Sequence, residues 1–380
     1  MKKDFRLPTY EELSKEQDRV LRRTQLKNRS IVYGAPGTGK TVIFLILADR
    51  LNRNKQACLC LLYNRILEKM SHSLADDINI KTWHSWFWHF FLRQFNHTPP
   101  EIKKFEYDWD GVMDRVDQAD PDVDTHTFLL IDEGQDMPPG FYEFMDETFQ
   151  HIIVSADENQ QLADMNSSIK QIRERLDIQP DHCFLLTKNY RNTRQIALLA
   201  EHFYCATTAD PPKLPEKNGE IPLLVEYTDL AIMIQRIALR HKTHPDHLIG
   251  ILAPNNTVRA NYFDQLAQLG IFSLYTYANQ LGNKNKPIAF DRGGIVVINS
   301  KSAKGLEFDD VFIVELDKFL LAGPRDERFR KEMYVLISRA RERLFFLMDA
   351  TLPGTITKKI LDEFPDDTRV LKTWQQHQEE

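Results

Sequence analysis

The sequence predicts an α/β protein built from two parallel-sheet domains in tandem, and three observations carry that prediction. Short apolar runs alternate with helical stretches along most of the chain. The runs are apolar at consecutive positions, as strands buried on both faces of a parallel sheet are. One of them, Ile31-Val32-Tyr33, enters the glycine-rich loop Gly34-Ala35-Pro36-Gly37-Thr38-Gly39-Lys40-Thr41 and then the apolar helical stretch Val42–Ala48. In a strand–loop–helix of this kind the loop N–H groups cradle an anion, and the helix N-terminus adds partial positive charge. Lys40 is placed to reach the β- and γ-phosphates of a nucleoside triphosphate, and the Thr41 hydroxyl to ligate Mg²⁺.

The elements follow in order. Residues 9–28 read as a charged amphipathic helix containing Gln17. After the loop and its helix comes the strand Ala57–Tyr63, a helix from Arg65, the short run Ile78-Asn79-Ile80 and the aromatic run Trp83–Phe91. Phe87, Phe90 and Phe91 fall near helical spacing and are expected to pack in the core. Residues 96–126, dense in aspartate from Asp108 to Asp124, read as a solvated acidic excursion unsuited to a phosphate backbone. Strand signals resume at Phe128–Ile131, His151–Val154 and Cys183–Leu186.

A second alternation follows the Asp210–Pro215 connector. Its strands are Ile221–Tyr227, Leu248–Ala253, Gly294–Asn299, Val311–Leu316 and Leu344–Met348. Its helices are Leu230–Arg240, Asn256–Leu269 and Asp326–Ile337. The expected organisation is a first domain over 1–187, a second over 188–350, and a C-terminal tail over 351–380 whose end, 373–380, reads as exposed and polar.

Composition narrows the function classes. At 380 residues there is room for two cores, and 42% apolar with 27% charged residues is ordinary globular material. A net charge of −6 excludes a chain that attracts nucleic acid or membrane as a whole, so any such contact must be a local groove. Cys58 and Cys60 alternate on one apolar run while Cys183 and Cys205 stand apart, which gives neither a metal spacing nor a disulfide framework. With no signal-peptide pattern and no long apolar run, the expectation is a cytoplasmic protein without a membrane partner.

Chemistry concentrates at strand ends. Asp132-Glu133-Gly134-Gln135-Asp136 follows the strand 128–131 directly. In a chain with a phosphate loop, Asp132 suits the Mg²⁺ shell and Glu133 suits polarisation of the attacking water. Beyond it stand Ser155–Gln160, Asn189-Tyr190-Arg191-Asn192, Ser302–Phe308 and Tyr334–Arg341.

This ordered set resembles the UvrD/Rep-like branch of superfamily 1 helicases over about residues 13–348. The resemblance implies two RecA-like (P-loop NTPase) domains with the ATP site in the cleft between them. It implies a glutamine reading adenine at Gln17 and strand-contacting motifs at Tyr63-Asn64-Arg65 and Thr82-Trp83-His84. Gln160 corresponds to a γ-phosphate sensor, Arg191 and Arg339 to two arginine fingers. Lys304-Gly305-Leu306-Glu307 corresponds to the family's Lys-Gly-Leu-Glu, whose glutamate approaches the nucleotide sugar.

Departures accompany the resemblance. Lys301 stands where the family usually has histidine, among the strand-contacting positions. Ala163 and Met165 replace two base-stacking aromatics. The accessory insertions are reduced to the acidic stretch and to Asn279–Gly293. The expected function is an ATP- and Mg²⁺-dependent translocase or helicase on single-stranded DNA, with RNA not distinguished from DNA. The alternative is an ATP-gated switch or motor subunit that controls a partner nuclease in DNA repair or anti-phage defence.

Overall fold

A computed structural model of the chain describes residues 7–25, 27–63, 78–104, 106–119, 122–157, 167–205, 210–277, 288–320 and 327–375. The helix expected from Arg65, with Asn64, lies outside the described residues, as do Gln160, Ala163 and Met165. The chain divides between Thr187 and Lys188 into two compact units.

In the first unit the strands are β1 (Arg29–Gly34), β2 (Cys58–Leu62), β3 (Ile80–Thr82), β6 (Asp124–Ile131), β7 (Phe149–Ala156) and β8 (Cys183–Leu186), with a small hairpin of β4 (Glu101–Lys103) and β5 (Glu106–Tyr107). The six pair in the order β3-β2-β6-β7-β1-β8, every pair parallel. Continuous burial of Leu129, Leu130 and Ile131 explains the run of consecutive apolar residues that identified β6.

The helix expected over 9–28 is two pieces. A 3-10 turn spans Tyr10–Glu12 and an α-helix spans Lys15–Thr24. Ser14 separates them as an N-cap: its Oγ accepts from the Gln17 amide at 3.1 Å, while Gln17 Oε1 accepts from the Ser14 amide at 3.0 Å. The Ser-x-x-Gln capping signal was present in the sequence.

The acidic excursion is corrected more substantially. It forms the β4–β5 hairpin and a helix over Trp109–Ala119. Tyr107, Val112 and Val116 are buried in the same core as Trp83, Phe87, Phe91, Phe141 and Phe144. Val112 and Val116 stand four apart and share one helix face, while Asp110, Asp114 and Asp117 stay exposed. The aspartates concealed an amphipathic helix.

Phe87 and Phe91 pack in the core as expected, and Phe90 packs against it partly buried. Trp83 is also buried, at 3% exposure, with its ring edge-on to Phe141 and to Tyr107. It is therefore a packing residue, which corrects its assignment to a strand-contacting surface. Replacing Trp83 with alanine is expected to destabilise the protein by about 3–5 kcal/mol, read as a lower midpoint in urea unfolding. An unchanged midpoint would mean the ring contributes no packing.

The second unit holds β9 (Leu223–Tyr227), β10 (Leu248–Ala253), β11 (Leu274–Thr276), β12 (Gly294–Asn299), β13 (Phe308–Val314), β14 (Ala340–Asp349) and β15 (Lys372–Gln375). They form one parallel sheet in the order β11-β12-β10-β13-β14-β9-β15. Its core includes Ile234, Ile251, Tyr262, Val297, Phe312 and Leu347.

The C-terminal tail is likewise corrected. Residues 351–375 include a helix, Gly354–Leu361, and β15, which pairs with β9 so that Trp374 lies beside Val225. The Arg236 guanidinium sits 4.5 Å from the Trp374 ring centroid. A four-residue edge strand of mixed polarity carries little periodic signal, which is why its sequence reads as loop. Among the described residues no helix is long and apolar enough to cross a membrane.

Candidate nucleotide site and arginine cluster

β6, β7 and β1 are consecutive neighbours in the first sheet. Ile131 lies beside Val154, and Val154 beside Ile31. Parallel strands about 4.8 Å apart therefore deliver their C-terminal residues to one edge, where ligands of open α/β sheets bind. β1 brings the loop, β6 brings Asp132 and Glu133, and β7 brings Ser155 and Asp157.

The loop turns through left-handed glycines, Gly37 at φ 79° and Gly39 at φ 94°. Gly39 has a second reason to lack a side chain, because a Cβ there would stand 2.2 Å from Gln17 Nε2. Gln17 is buried against the loop and donates through Nε2 to the Thr38 carbonyl at 3.1 Å. The residue that caps the first helix thus also braces the phosphate loop.

Lys40 begins the helix Lys40–Arg53 and is only 7% exposed. Its Nζ donates to the carbonyls of Gly34 at 2.6 Å and Ala35 at 3.1 Å, and stands 3.5 Å from the Asp157 carboxylate. The ammonium is folded over its own loop, where an incoming phosphate would replace carbonyl oxygens as its partners.

Asp132 is buried and hydrogen-bonded on both oxygens. Oδ1 accepts from Ser155 Oγ at 2.6 Å and from the Glu133 amide at 3.0 Å, and Oδ2 accepts from Thr41 Oγ1 at 2.8 Å. Burial, and then the neighbouring Glu133 charge, push its carboxyl up to about 6 against the pull of those hydrogen bonds. The paired Thr41 hydroxyl and Asp132 carboxylate are hard oxygen donors of the kind Mg²⁺ prefers.

This raised value has a consequence for stability. Between about pH 4 and pH 6 the unfolded chain has released the Asp132 proton while the folded chain keeps it, so stability falls as pH rises through that window. Asp132→Asn removes the effect. Its stability in denaturant titrations is expected to match wild type near pH 4 and to exceed it by about 1–3 kcal/mol above pH 7. A difference that does not vary with pH would contradict this.

Glu133 adopts a left-handed backbone, φ 52°, which is uncommon outside glycine and asparagine and is held here by its surroundings. Gln135 Nε2 donates to Glu133 Oε2 at 2.6 Å, and Gln135 Oε1 accepts from the Asp157 amide at 2.9 Å. Tyr142 donates to the Gly134 carbonyl at 2.7 Å. The carboxylate is thereby aimed by a fully buried side chain.

In the second unit, β13 and β14 are adjacent with Phe308 beside Ala340. That register sets Glu307, which precedes β13, next to Arg339, which precedes β14. The turn before the helix Arg194–His202 is folded by Asn189, whose Oδ1 accepts from the amides of Arg191 at 2.9 Å and Asn192 at 3.2 Å. Asn192 Nδ2 and Arg191 Nη1 both donate to the Ser338 carbonyl, at 3.3 and 3.4 Å. Arg191 then ion-pairs with Glu307, and Arg341 Nε stands 3.9 Å from the other carboxylate oxygen. Burial would raise the Glu307 carboxyl, but Arg191, Arg341 and Arg339 together hold it below its ordinary value. Arg339, 1% exposed, donates to the carbonyls of Val335 at 2.9 Å and Leu306 at 3.4 Å. Gly305 turns with φ 80° just ahead of Glu307.

Residues 17–166 match the AAA domain family, and residues 294–347 match the UvrD-like helicase C-terminal domain. The two matches occur in that order, one over each unit's motifs. Taken together, the two partial matches support the resemblance to the UvrD/Rep-like helicases. Both parallel-sheet units of the chain fit the RecA-like domains of these helicases. Among solved structures 629 chains match. One is the C-terminal domain of a possible DNA helicase from Lactobacillus plantarum WCFS1, 19% identical over 48% of this chain and 98% of that one, with a TM-score of 0.34. A comparison with curated proteins finds no match.

The first unit brings together Gln17, Gly34–Thr41, Asp132 and Glu133, and the second brings together Arg191, Gly305, Glu307 and Arg339. The strand-contacting positions are more scattered in character. Tyr63 and Lys301 are exposed, Thr82 is buried, and His84 is half-buried with its ring stacked 3.7 Å from Trp83. Burial lowers the His84 imidazole to about 4, so it is neutral at pH 7. Sequence reasoning gave no roles to Ser155, Asp157, Asn192 and Arg341. The alternation Ser155–Asp157 at a strand's end was the available signal for the first two.

Proposed function

We propose that the chain is an ATP-dependent translocase or helicase acting on single-stranded DNA. The observation that supports this most is the assembly of Lys40, Thr41, Asp132 and Glu133 at adjoining strand ends, each held by a named partner. In this reading the loop and Lys40 hold the β- and γ-phosphates of ATP, and Gln17 contributes adenine recognition. Thr41 and Asp132 would hold Mg²⁺, which when bound neutralises phosphate charge. Glu133 accepts the proton of the attacking water and Gln160 senses the γ-phosphate. Arg191 and Arg339 stabilise the charge that develops on the transferring phosphoryl group. Because those arginines belong to the second unit, turnover requires the units to close on the nucleotide. A cycle of closing and opening is the physical basis for stepping along a strand.

ATP turnover measured against increasing single-stranded DNA tests this reading, beside strand displacement on tailed duplexes. Stimulated turnover with displacement fits a helicase. Stimulated turnover without displacement fits the second reading, a motor subunit that needs a partner such as a nuclease. The burial of Trp83 favours considering that reading, since it removes one aromatic from the surface available for base stacking, worth about 1–3 kcal/mol per base.

A further inference from the structure

Glu307 is one carboxylate facing Arg191, Arg341 and Arg339, which leaves the cluster two positive charges in excess. The three guanidiniums are held differently. Arg339 is tied to backbone carbonyls of its own unit, Arg341 is 43% exposed at 3.9 Å, and Arg191 is paired directly with the carboxylate. Arg191 is also incompletely satisfied in this seat, because its Nε is buried and finds no hydrogen-bond partner among the described residues. A guanidinium with an unmet buried donor gains by exchanging to an acceptor with more oxygens.

We infer that Glu307 is a positioning residue that parks Arg191 while no nucleotide is bound and yields it to a triphosphate. The inference rests on the reading that this chain hydrolyses ATP. A phosphate group offers three oxygens and more charge than one carboxylate, and the cluster's excess positive charge favours an anion beside it. The Asn189-centred turn keeps the Arg191 backbone in place, so the exchange needs only the side chain to move, giving up the Glu307 ion pair and the 3.4 Å bond from Nη1 to the Ser338 carbonyl. Glu307 therefore stabilises the nucleotide-free form, and its removal makes productive engagement of Arg191 easier.

The test is a double-mutant cycle on ATP turnover by the full chain, using Glu307→Gln, Arg191→Ala and the double variant. Glu307→Gln is expected to raise kcat/KM for ATP about threefold, the modest range of a single ion pair that still reaches solvent. In the Arg191→Ala background the same substitution is expected to change nothing. Glu307→Asp, which keeps the charge with shorter reach, gives a smaller rise and serves if the glutamine variant does not fold. A fall in kcat/KM that disappears when 3′-deoxy-ATP replaces ATP would assign Glu307 to the sugar and overturn the parking role. An equal effect with and without Arg191, or no effect at all, overturns it too. A wild-type chain that hydrolyses no ATP overturns both this inference and the reading beneath it, whereas an active wild type with an unaltered Glu307→Gln overturns the inference alone.

Discussion

Lys40→Ala is expected to reduce ATP turnover by at least about a hundredfold, the effect of removing one preorganised charge from a developing oxyanion. The lysine is already directed at the loop: its ammonium caps the Gly34 and Ala35 carbonyls, the oxygens that border the anion cradle. Its loss also leaves the buried Asp157 carboxylate without that counter-charge. A modest destabilisation of about 1–3 kcal/mol should therefore accompany the loss of turnover. Measuring unfolding beside steady-state kinetics separates the two, because a folded variant with normal turnover would remove Lys40 from the reaction.

Arg191→Ala is expected to lower kcat by about a thousandfold or more, as loss of an arginine that meets the transferring phosphoryl group does. Nucleotide affinity should change far less, since in the proposed function the loop and Lys40 carry ground-state binding. The split between kcat and affinity, read by steady-state kinetics beside equilibrium nucleotide binding, is the discriminating result. A loss of affinity with kcat unchanged would make Arg191 a binding residue only. Arg191→Lys should not restore the rate, because an ammonium lacks the planar donor fork.

What was legible in the sequence follows from how local each signal is. The strand–loop–helix at Gly34–Thr41 and the Asp-Glu that ends β6 are contiguous, so their chemistry could be read without knowing the sheet order. The acidic excursion misled because its charge density hid the Val112–Val116 face, which only the contacts with Tyr107 and Phe144 reveal. Trp83 looked available beside His84, yet the hairpin and the helix Pro139–Thr148 close over it. Gln135 and Asp157 act through the pairing of β6 with β7, and no local spacing announces a side chain that bridges two strand ends. The arginine cluster is the extreme case. Glu307 and Arg339 meet only because β13 and β14 are adjacent in register, across a separation that sequence alone does not close.

In the proposed function, catalysis combines the Glu133 carboxylate held by Gln135, Lys40 folded over its loop, and arginines of the second unit. The most direct test is the rate of ATP hydrolysis by the full chain as single-stranded DNA is titrated in, with Lys40→Ala run in parallel. The account predicts turnover that rises many-fold to saturation in the wild type and stays at background in the variant. Turnover that is the same with and without any nucleic-acid strand would contradict it.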